Sequence, residues 1–182
     1  EGMDTHGKLM EPRMSATFSA LSRFRQDCLD HGNPPLFVVA TSAVREASNS
    51  KEFVRLAREK TGIEIEIISW EEEARLTLEG VFWKIPHDNR KILTLDIGGG
   101  STEFILSEGK KISGFCSSSL GVVRLTEKFI HQHPIENSEF NNFVTHLRNE
   151  LQTIQKKLSA FIPQVFIGTA GTVTTLAALK NN

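Results

Sequence analysis

Cysteine is scarce in this sequence, and the two present form no pattern. Cys28 and Cys116 make neither a disulfide framework nor a metal-binding spacing, and they read as packing residues in a reducing compartment. The six histidines are scattered, with no helical metal pair. No Ser-His-Asp or Cys-His set can be assembled from what is there. Long apolar runs are missing, which excludes a membrane-spanning helix. No basic-then-apolar leader opens the chain, so a cytoplasmic protein is expected. A net charge of −1 gives no footing for nucleic acid or an anionic membrane surface. Internal repeats, low-complexity tracts and charge runs are also absent. The opening Glu1-Gly2-Met3 starts no strand or fold nucleus, and the chain reads as a piece of a longer protein.

What remains is an ordinary globular composition over 182 residues, enough for one large domain or two small ones. Residues 1–8 read as a loop. Pro12 to Leu29 has helical spacing, with Phe18, Leu21, Phe24, Cys28 and Leu29 near one face. Leu36 to Ala40 reads as a short buried strand. Asn49 with Glu52 looks like a capping box for a helix ending near Thr61-Gly62. Ile63 to Ile68 alternates apolar and acidic residues, as a half-buried strand does. Ser69 and Glu72 suggest another capping box. The next helix carries a stripe of Ala74, Leu78, Val81, Phe82 and Ile85. Pro86-His87-Asp88-Asn89 breaks it and marks the expected boundary between domains 1–86 and 87–182. A strand from Ile92 to Ile97 follows, then a hairpin around Glu108-Gly109 and a helix from Val122 to Ile130. A long helix runs from Asn137 to near Phe161. The strand Val165 to Ile167 then feeds an apolar helix. Strands alternating with helices predict an α/β fold with mixed sheets.

The chemistry gathers where strands end. Ile92 to Ile97 is a buried strand that ends on Asp96 and runs into Gly98-Gly99-Gly100-Ser101-Thr102-Glu103. Glycines let a backbone approach a ligand closely, and successive N–H groups in such a turn form an anion-binding nest. Asp96 could hold a hydrated divalent cation beside that anion. The plainer reading is a hairpin turn that needs glycine for its shape. Gly168-Thr169-Ala170-Gly171-Thr172 is a second glycine-rich turn at a strand end. Among Glu71, Glu72 and Glu73, the first has the helical spacing to pair with Arg75 and the second has the capping position. Glu73 has neither task. It is either a general base at a cleft or a solvated surface acid. Glu103 either reaches back to Asp96 or faces water. Arg45 is either a phosphate clamp or a surface arginine.

Five stretches together resemble the exopolyphosphatase / guanosine pentaphosphate phosphohydrolase family. They are Val39 to Asn49 (Val-Ala-Thr-Ser-Ala-Val-Arg-Glu-Ala-Ser-Asn), Glu72 to Leu76 (Glu-Glu-Ala-Arg-Leu), Asp96 to Glu103, Leu120 to Leu125 (Leu-Gly-Val-Val-Arg-Leu) and Gly168 to Thr172. They stand in the family's order and cover nearly the whole chain. The resemblance implies the actin-like, sugar-kinase-like fold, with two ribonuclease-H-like domains that are here truncated at both ends. It implies Glu73 as catalytic base, Asp96 and Glu103 as organisers of Mg2+, and Gly98, Gly99, Gly100 and Ser101 as the phosphate cradle. Arg45 would contact the polyanion, and Gly168, Gly171 and Thr172 would form the second loop of the cleft. The implied partner is polyphosphate or guanosine pentaphosphate, with oligomeric state open, a homodimer included. Two departures stand out. Trp70 replaces the family's usual glycine after Ile-Ser, and the family's first Asp-Gly-Ser phosphate loop is not in this chain. An ATP-binding kinase or chaperone-like relative, or a non-catalytic polyphosphate-binding or alarmone-binding module, remains the alternative.

Overall fold

The computed structural model of the protein describes residues 7–83, 89–158 and 162–181. The chain divides into two compact units at Ser69/Trp70.

The first unit holds α1 (Glu11–Asp30), β1 (Val38–Ala40), α2 (Ser42–Glu46), α3 (Ser50–Thr61) and β2 (Ile65–Ile67). Pro12 lies in the first turn of α1, where its missing N–H and fixed φ cost nothing. Met14, Phe18 and Leu21 of α1 pack on Phe53 and Ala57 of α3 and on Ile65 of β2. The Phe18 and Phe53 rings stack with centroids 5.4 Å apart. α3 ends at Gly62, whose φ of 68° is a conformation glycine adopts without a Cβ penalty. β1 and β2 run parallel, with Val38 opposite Ile65.

Three expectations change here. The strand is shorter than Leu36–Ala40, and Phe37 is 89% exposed. Phe24 and Leu29 are also exposed, so only the Phe18–Leu21 part of the α1 stripe is core. Asn49 makes no side-chain cap on α3. Its amide instead accepts from Leu9 N–H at 2.8 Å and donates to Leu9 O at 3.1 Å, tying the segment before α1 to α3.

The second unit holds α4 (Trp70–Val81), β3 (Lys91–Ile97), β4 (Thr102–Glu108), β5 (Lys111–Ser118), α5 (Val122–Phe129), α6 (Asn137–Lys157), β6 (Val165–Thr169) and α7 (Ala170–Asn181). Its sheet has the order β5-β4-β3-β6, antiparallel except for the parallel pair β3–β6. α4 lays Ala74 and Leu78, with Phe82 just past its end, on Ile92 and Ile105. The opposite face packs Phe104, Cys116 and Leu120 under Leu125 of α5 and Ile154 of α6. Each face is sealed by helices, which is why β4 is buried along almost its whole length.

The seam under α4 explains why the units part ahead of the expected break at 86/87. The apolar face of this helix has its partners in the sheet that follows it. Ile85, Pro86, His87 and Asp88, on which that expectation rested, lie outside the described residues, as do residues 1–6 of the expected opening loop and Phe161. Among the described residues, no helix is long and apolar enough to cross a membrane.

Candidate active site

β3 carries Asp96 to the carboxyl end of the sheet, where Glu103 and Thr77 meet it. Across the antiparallel ladder, Asp96 is the direct partner of Glu103 on β4. Directly opposed residues of such a pair hold their side chains on one face, with Cβ atoms about 5 Å apart. That face is the one α4 covers. Thr77 of α4 donates its hydroxyl to Asp96 Oδ2 at 3.3 Å. Glu73 lies one turn earlier on α4, and its charge acts on Glu103. The structure therefore brings Glu73, Asp96 and Glu103 together and leaves Arg75 outside the group. Arg75 is held bidentately by Glu72, at 2.7 and 2.8 Å, rather than by Glu71 as its spacing suggested.

The two strand carboxyls are strained electrostatically. Burial pushes the Asp96 carboxyl above its usual range, and the Thr77 hydroxyl opposes that shift. Burial also pushes Glu103 up, since its side chain is almost wholly covered. Ser101 donates to Glu103 and pulls the other way; the Glu73 charge adds to the rise, the Ser117 hydroxyl opposes it, and the Asp96 charge raises it further. Ser117 donates to Glu103 Oε1 at 3.1 Å.

Ser117 is a residue the sequence reading missed. Counting back from the tight turn at Glu108–Lys111 would set Cys116 opposite Glu103. A β-bulge between Leu106 and Ser107 shifts the register and sets Ser117 there instead. Thr77 was visible only as a small polar residue one turn above Glu73. Recognising its role needed the packing angle of α4 on the sheet.

The glycine stretch is a tight loop. Gly98 N–H donates to Ser101 O at 3.0 Å. The carbonyls of the loop point into α5, where Val122 N–H donates to Gly98 O, and Val123 and Arg124 N–H donate to Gly99 O, all at 3.0–3.2 Å. The first N–H groups of α5 are thus spent on the loop. Thr102 Oγ1 donates to Leu120 O at 3.0 Å and closes the same junction. The loop's carbonyls are turned inward, and Gly98 N–H is spent on Ser101 O.

Because β3 and β6 are parallel neighbours, their carboxyl ends lie side by side, with Asp96 opposite Thr169. An open cleft of about 540 Å³ is lined by Gly98 and Gly99 from one loop and by Ala170, Gly171 and Thr172 from the other. The two predicted glycine turns therefore share one cleft. Gly168 lies just beneath, where a Cβ would stand 2.6 Å from Val173 Cγ1. Arg45 lies in the first unit, on α2. Its guanidinium donates to Ile68 O at 2.7 Å and fixes α2 to the end of β2.

Among the described residues, no group of three or more His, Cys, Asp and Glu side chains is arranged to hold a metal ion. The Asp96–Glu103 pair supplies two carboxylates. That suits a hydrated magnesium ion, which is bound through one or two carboxylates, waters and substrate phosphates rather than by an all-protein cage. Two desolvated carboxyls side by side are also a donor set whose mutual repulsion a cation would relieve.

Comparison with known proteins identifies the fold first. PilM from the PilM–PilN type IV pilus biogenesis complex superposes with a TM-score of 0.50 at 18% identity, over 74% of this chain and 45% of that one. The fold is the actin-like ATPase fold, a mixed sheet flanked by helices. The crystal structure of an exopolyphosphatase from Cytophaga hutchinsonii superposes with a TM-score of 0.86 at 29% identity, over 96% of this chain and 56% of that one. Exopolyphosphatase 2 of Mycobacterium tuberculosis is 29% identical over the whole of this chain and 58% of its own length. Residues 1–182 match the Ppx/GppA phosphatase family, and the chain belongs to that family. It spans somewhat over half the length of these relatives.

Proposed function

We propose that the protein is a divalent-cation-dependent phosphohydrolase that releases terminal phosphate from inorganic polyphosphate, from guanosine pentaphosphate, or from both. One observation carries this reading. Asp96 and Glu103 are paired across β3 and β4, with Glu73 close enough for its charge to act on Glu103, beside a cleft lined by two glycine turns. The membership in a phosphatase family supports it.

Glu73 takes the proton of a water as that water's oxygen bonds to the terminal phosphorus. The anhydride P–O bond breaks, and the shortened chain leaves with the electron pair. Gly99, Gly100 and Ser101 offer N–H groups to the phosphate oxygens, Gly98 closes the turn through its own N–H to Ser101 O, and Gly168, Gly171 and Thr172 shape the facing wall. Asp96 and Glu103 would hold Mg2+, which supplies charge neutralisation on the phosphoryl group when bound. The family resemblance assigns Arg45 to the polyanion; in the first unit its guanidinium donates to Ile68 O.

The test is phosphate release from polyphosphate and from guanosine pentaphosphate by the whole protein with magnesium, compared with its Glu73→Gln variant. A loss of about a hundred-fold or more is expected on each substrate that the wild type cleaves, in line with general-base catalysis. Undiminished release by Glu73→Gln would sink the assignment. ATP-dependent phosphorylation of a small alcohol without polyphosphate cleavage would replace it with a kinase.

A further inference from the structure

The sheet face under α4 holds a buried hydroxyl that the acidic pair does not yet account for. Side chains alternate along a strand, so Ile92, Thr94 and Asp96 of β3 share one face, as do Glu103, Ile105 and Ser107 of β4. Ile92 and Ile105 pack with Ala74 and Leu78, which fixes this as the face that α4 covers. Thr94 is wholly buried, at 0% exposure, and its Oγ1 has no hydrogen-bond partner within the protein. Burying a hydroxyl without a partner is unfavourable. Valine has nearly the same shape and no hydroxyl to satisfy, so packing alone does not explain a threonine here.

The strand registers define what surrounds Thr94. It stands opposite Ile105 on β4 and opposite Ile167 on β6, and neither side chain can bond a hydroxyl. The nearest polar side chains on its face are one step further out. Asp96 is two residues on along β3, a separation of about 6.6 Å along a strand. Glu103 is its diagonal neighbour on β4, and such neighbours lie about 7–8 Å apart. These spacings are too long for a direct hydrogen bond between short side chains and suit one intervening water. Asp96 and Glu103 oppose each other, so Thr94 and the two carboxyls form a triangle with Thr94 at its inner corner. A water there accepts from Thr94 Oγ1 and donates one O–H to each carboxyl. Three hydrogen bonds are what a buried water typically makes. The carboxylates have lone pairs for it beyond those that Thr77 and Ser117 use. Ser107 offers a comparison within the same face. It too is wholly buried with an unpartnered Oγ, but it stands opposite Ile92, with Ile105 between it and Glu103.

We propose that Thr94 is a positioning residue of the acidic pair, its hydroxyl holding one buried water that donates to both the Asp96 and the Glu103 carboxyls. The water ties the two carboxyls together from the inner side of the sheet and leaves their outer oxygens for a hydrated cation at the strand ends. The consequence for magnesium rests on the phosphohydrolase reading; the water itself rests on the hydroxyl and the registers.

The test combines a high-resolution crystal structure of the whole wild-type protein with calorimetric magnesium binding in the absence of substrate. Binding is compared for the wild type, Thr94→Val, Thr94→Ser and Ser107→Ala. The crystal should show an ordered water within hydrogen-bond distance of Thr94 Oγ1 and of both carboxyls. Thr94→Val should weaken magnesium binding about five-fold, the loss of one hydrogen bond, and lower the urea midpoint. Thr94→Ser should restore the affinity, and Ser107→Ala should bind magnesium as the wild type does. A wild-type crystal with no water joining Thr94 to the carboxyls overturns the proposal, and that result does not depend on any variant folding. Unchanged magnesium affinity or a raised urea midpoint in Thr94→Val also overturns it, because either marks a hydroxyl that holds nothing. So does an equal loss in Thr94→Ser or in Ser107→Ala, which would mean a general loosening under α4. If the wild type releases no phosphate while the water and the Thr94-dependent magnesium binding are both found, the phosphohydrolase reading fails and the role of Thr94 stands.

Discussion

Gly121 stands against the glycine loop with no room for a methyl group. A Cβ built at this position lies 2.3 Å from Gly99 O and 2.3 Å from the Gly100 carbonyl carbon. The same contact aligns the first N–H groups of α5 with the Gly98 and Gly99 carbonyls. The Leu120–Leu125 stretch thus acts as a clamp, which holds the loop carbonyls inward against α5. Gly121→Ala should force the loop away from α5. A loss of about 1–3 kcal/mol in urea unfolding is expected, the usual range for overpacking. Phosphate release should fall more steeply than that stability loss explains at temperatures where the variant is still folded. A variant with wild-type stability and wild-type activity would show that the loop is not held from this side.

The paired carboxyls make stability depend on pH in a definite direction. Burial raises both Asp96 and Glu103 above the ordinary carboxylate values of about 4. Above about pH 4 the unfolded chain has released protons that the folded protein still holds. Stability is therefore greatest, as far as these two groups contribute, below about pH 4, and is lost as pH rises through their raised folded values. Asp96→Asn removes one of the two charges. Without divalent cation the variant should be the more stable protein at pH 7, and the difference should shrink toward pH 4. Magnesium should stabilise the wild type more than the variant. Urea unfolding across pH, with and without the cation, measures both; a difference that does not change with pH would contradict the burial argument.

Much of this arrangement was legible in the sequence, and the parts that were not have a common cause. The Asp96 strand end, the two glycine turns and the apolar stripe of α4 are local patterns, and each is an element or a turn of the fold. What escaped depended on registers between elements. Ser117 reaches Glu103 because of a bulge elsewhere in the hairpin. The division at Ser69/Trp70 follows from which sheet α4 packs on, and no residue at the division announces it. Asn49 had a capping residue's identity and position, yet its amide found both polar groups of Leu9, a contact distant in sequence. Phe37 read as core because it is apolar, while its strand starts one residue later.

Thr77 tests how tightly the acidic cluster must be held. Its hydroxyl donates to Asp96 Oδ2 and favours the ionised carboxylate, opposing the effect of burial. Thr77→Val keeps the side-chain shape and removes the donor. Losing a hydrogen bond of this kind is worth about 1 kcal/mol, or about five-fold in an equilibrium constant. The magnesium concentration giving half-maximal phosphate release should rise by about that factor, with Thr77→Ser restoring it. A change in thermal stability alone, with the magnesium dependence untouched, would reduce Thr77 to a packing residue.

Ala170 holds the second glycine turn in an unfavourable backbone state. Its φ is 67°, in the left-handed region, where a side chain with a Cβ meets the following carbonyl. The turn cannot relax easily, because Gly168 two residues earlier is closed in by Val173 and because α7 begins at Ala170 itself. A non-glycine residue in this conformation costs about 1 kcal/mol or somewhat more. Ala170→Gly removes that cost and adds the larger backbone freedom of glycine in the unfolded chain, about 0.4–1 kcal/mol in the opposite direction. The strain should win narrowly, leaving the variant more stable by up to about 0.5–1 kcal/mol in urea unfolding. The same change loosens a wall of the cleft shared with Gly98 and Gly99. Substrate affinity should therefore weaken while stability rises, and opposite signs in the two measurements would identify the strain as serving the site. If both improve together, the left-handed Ala170 is only an expensive way to start a helix.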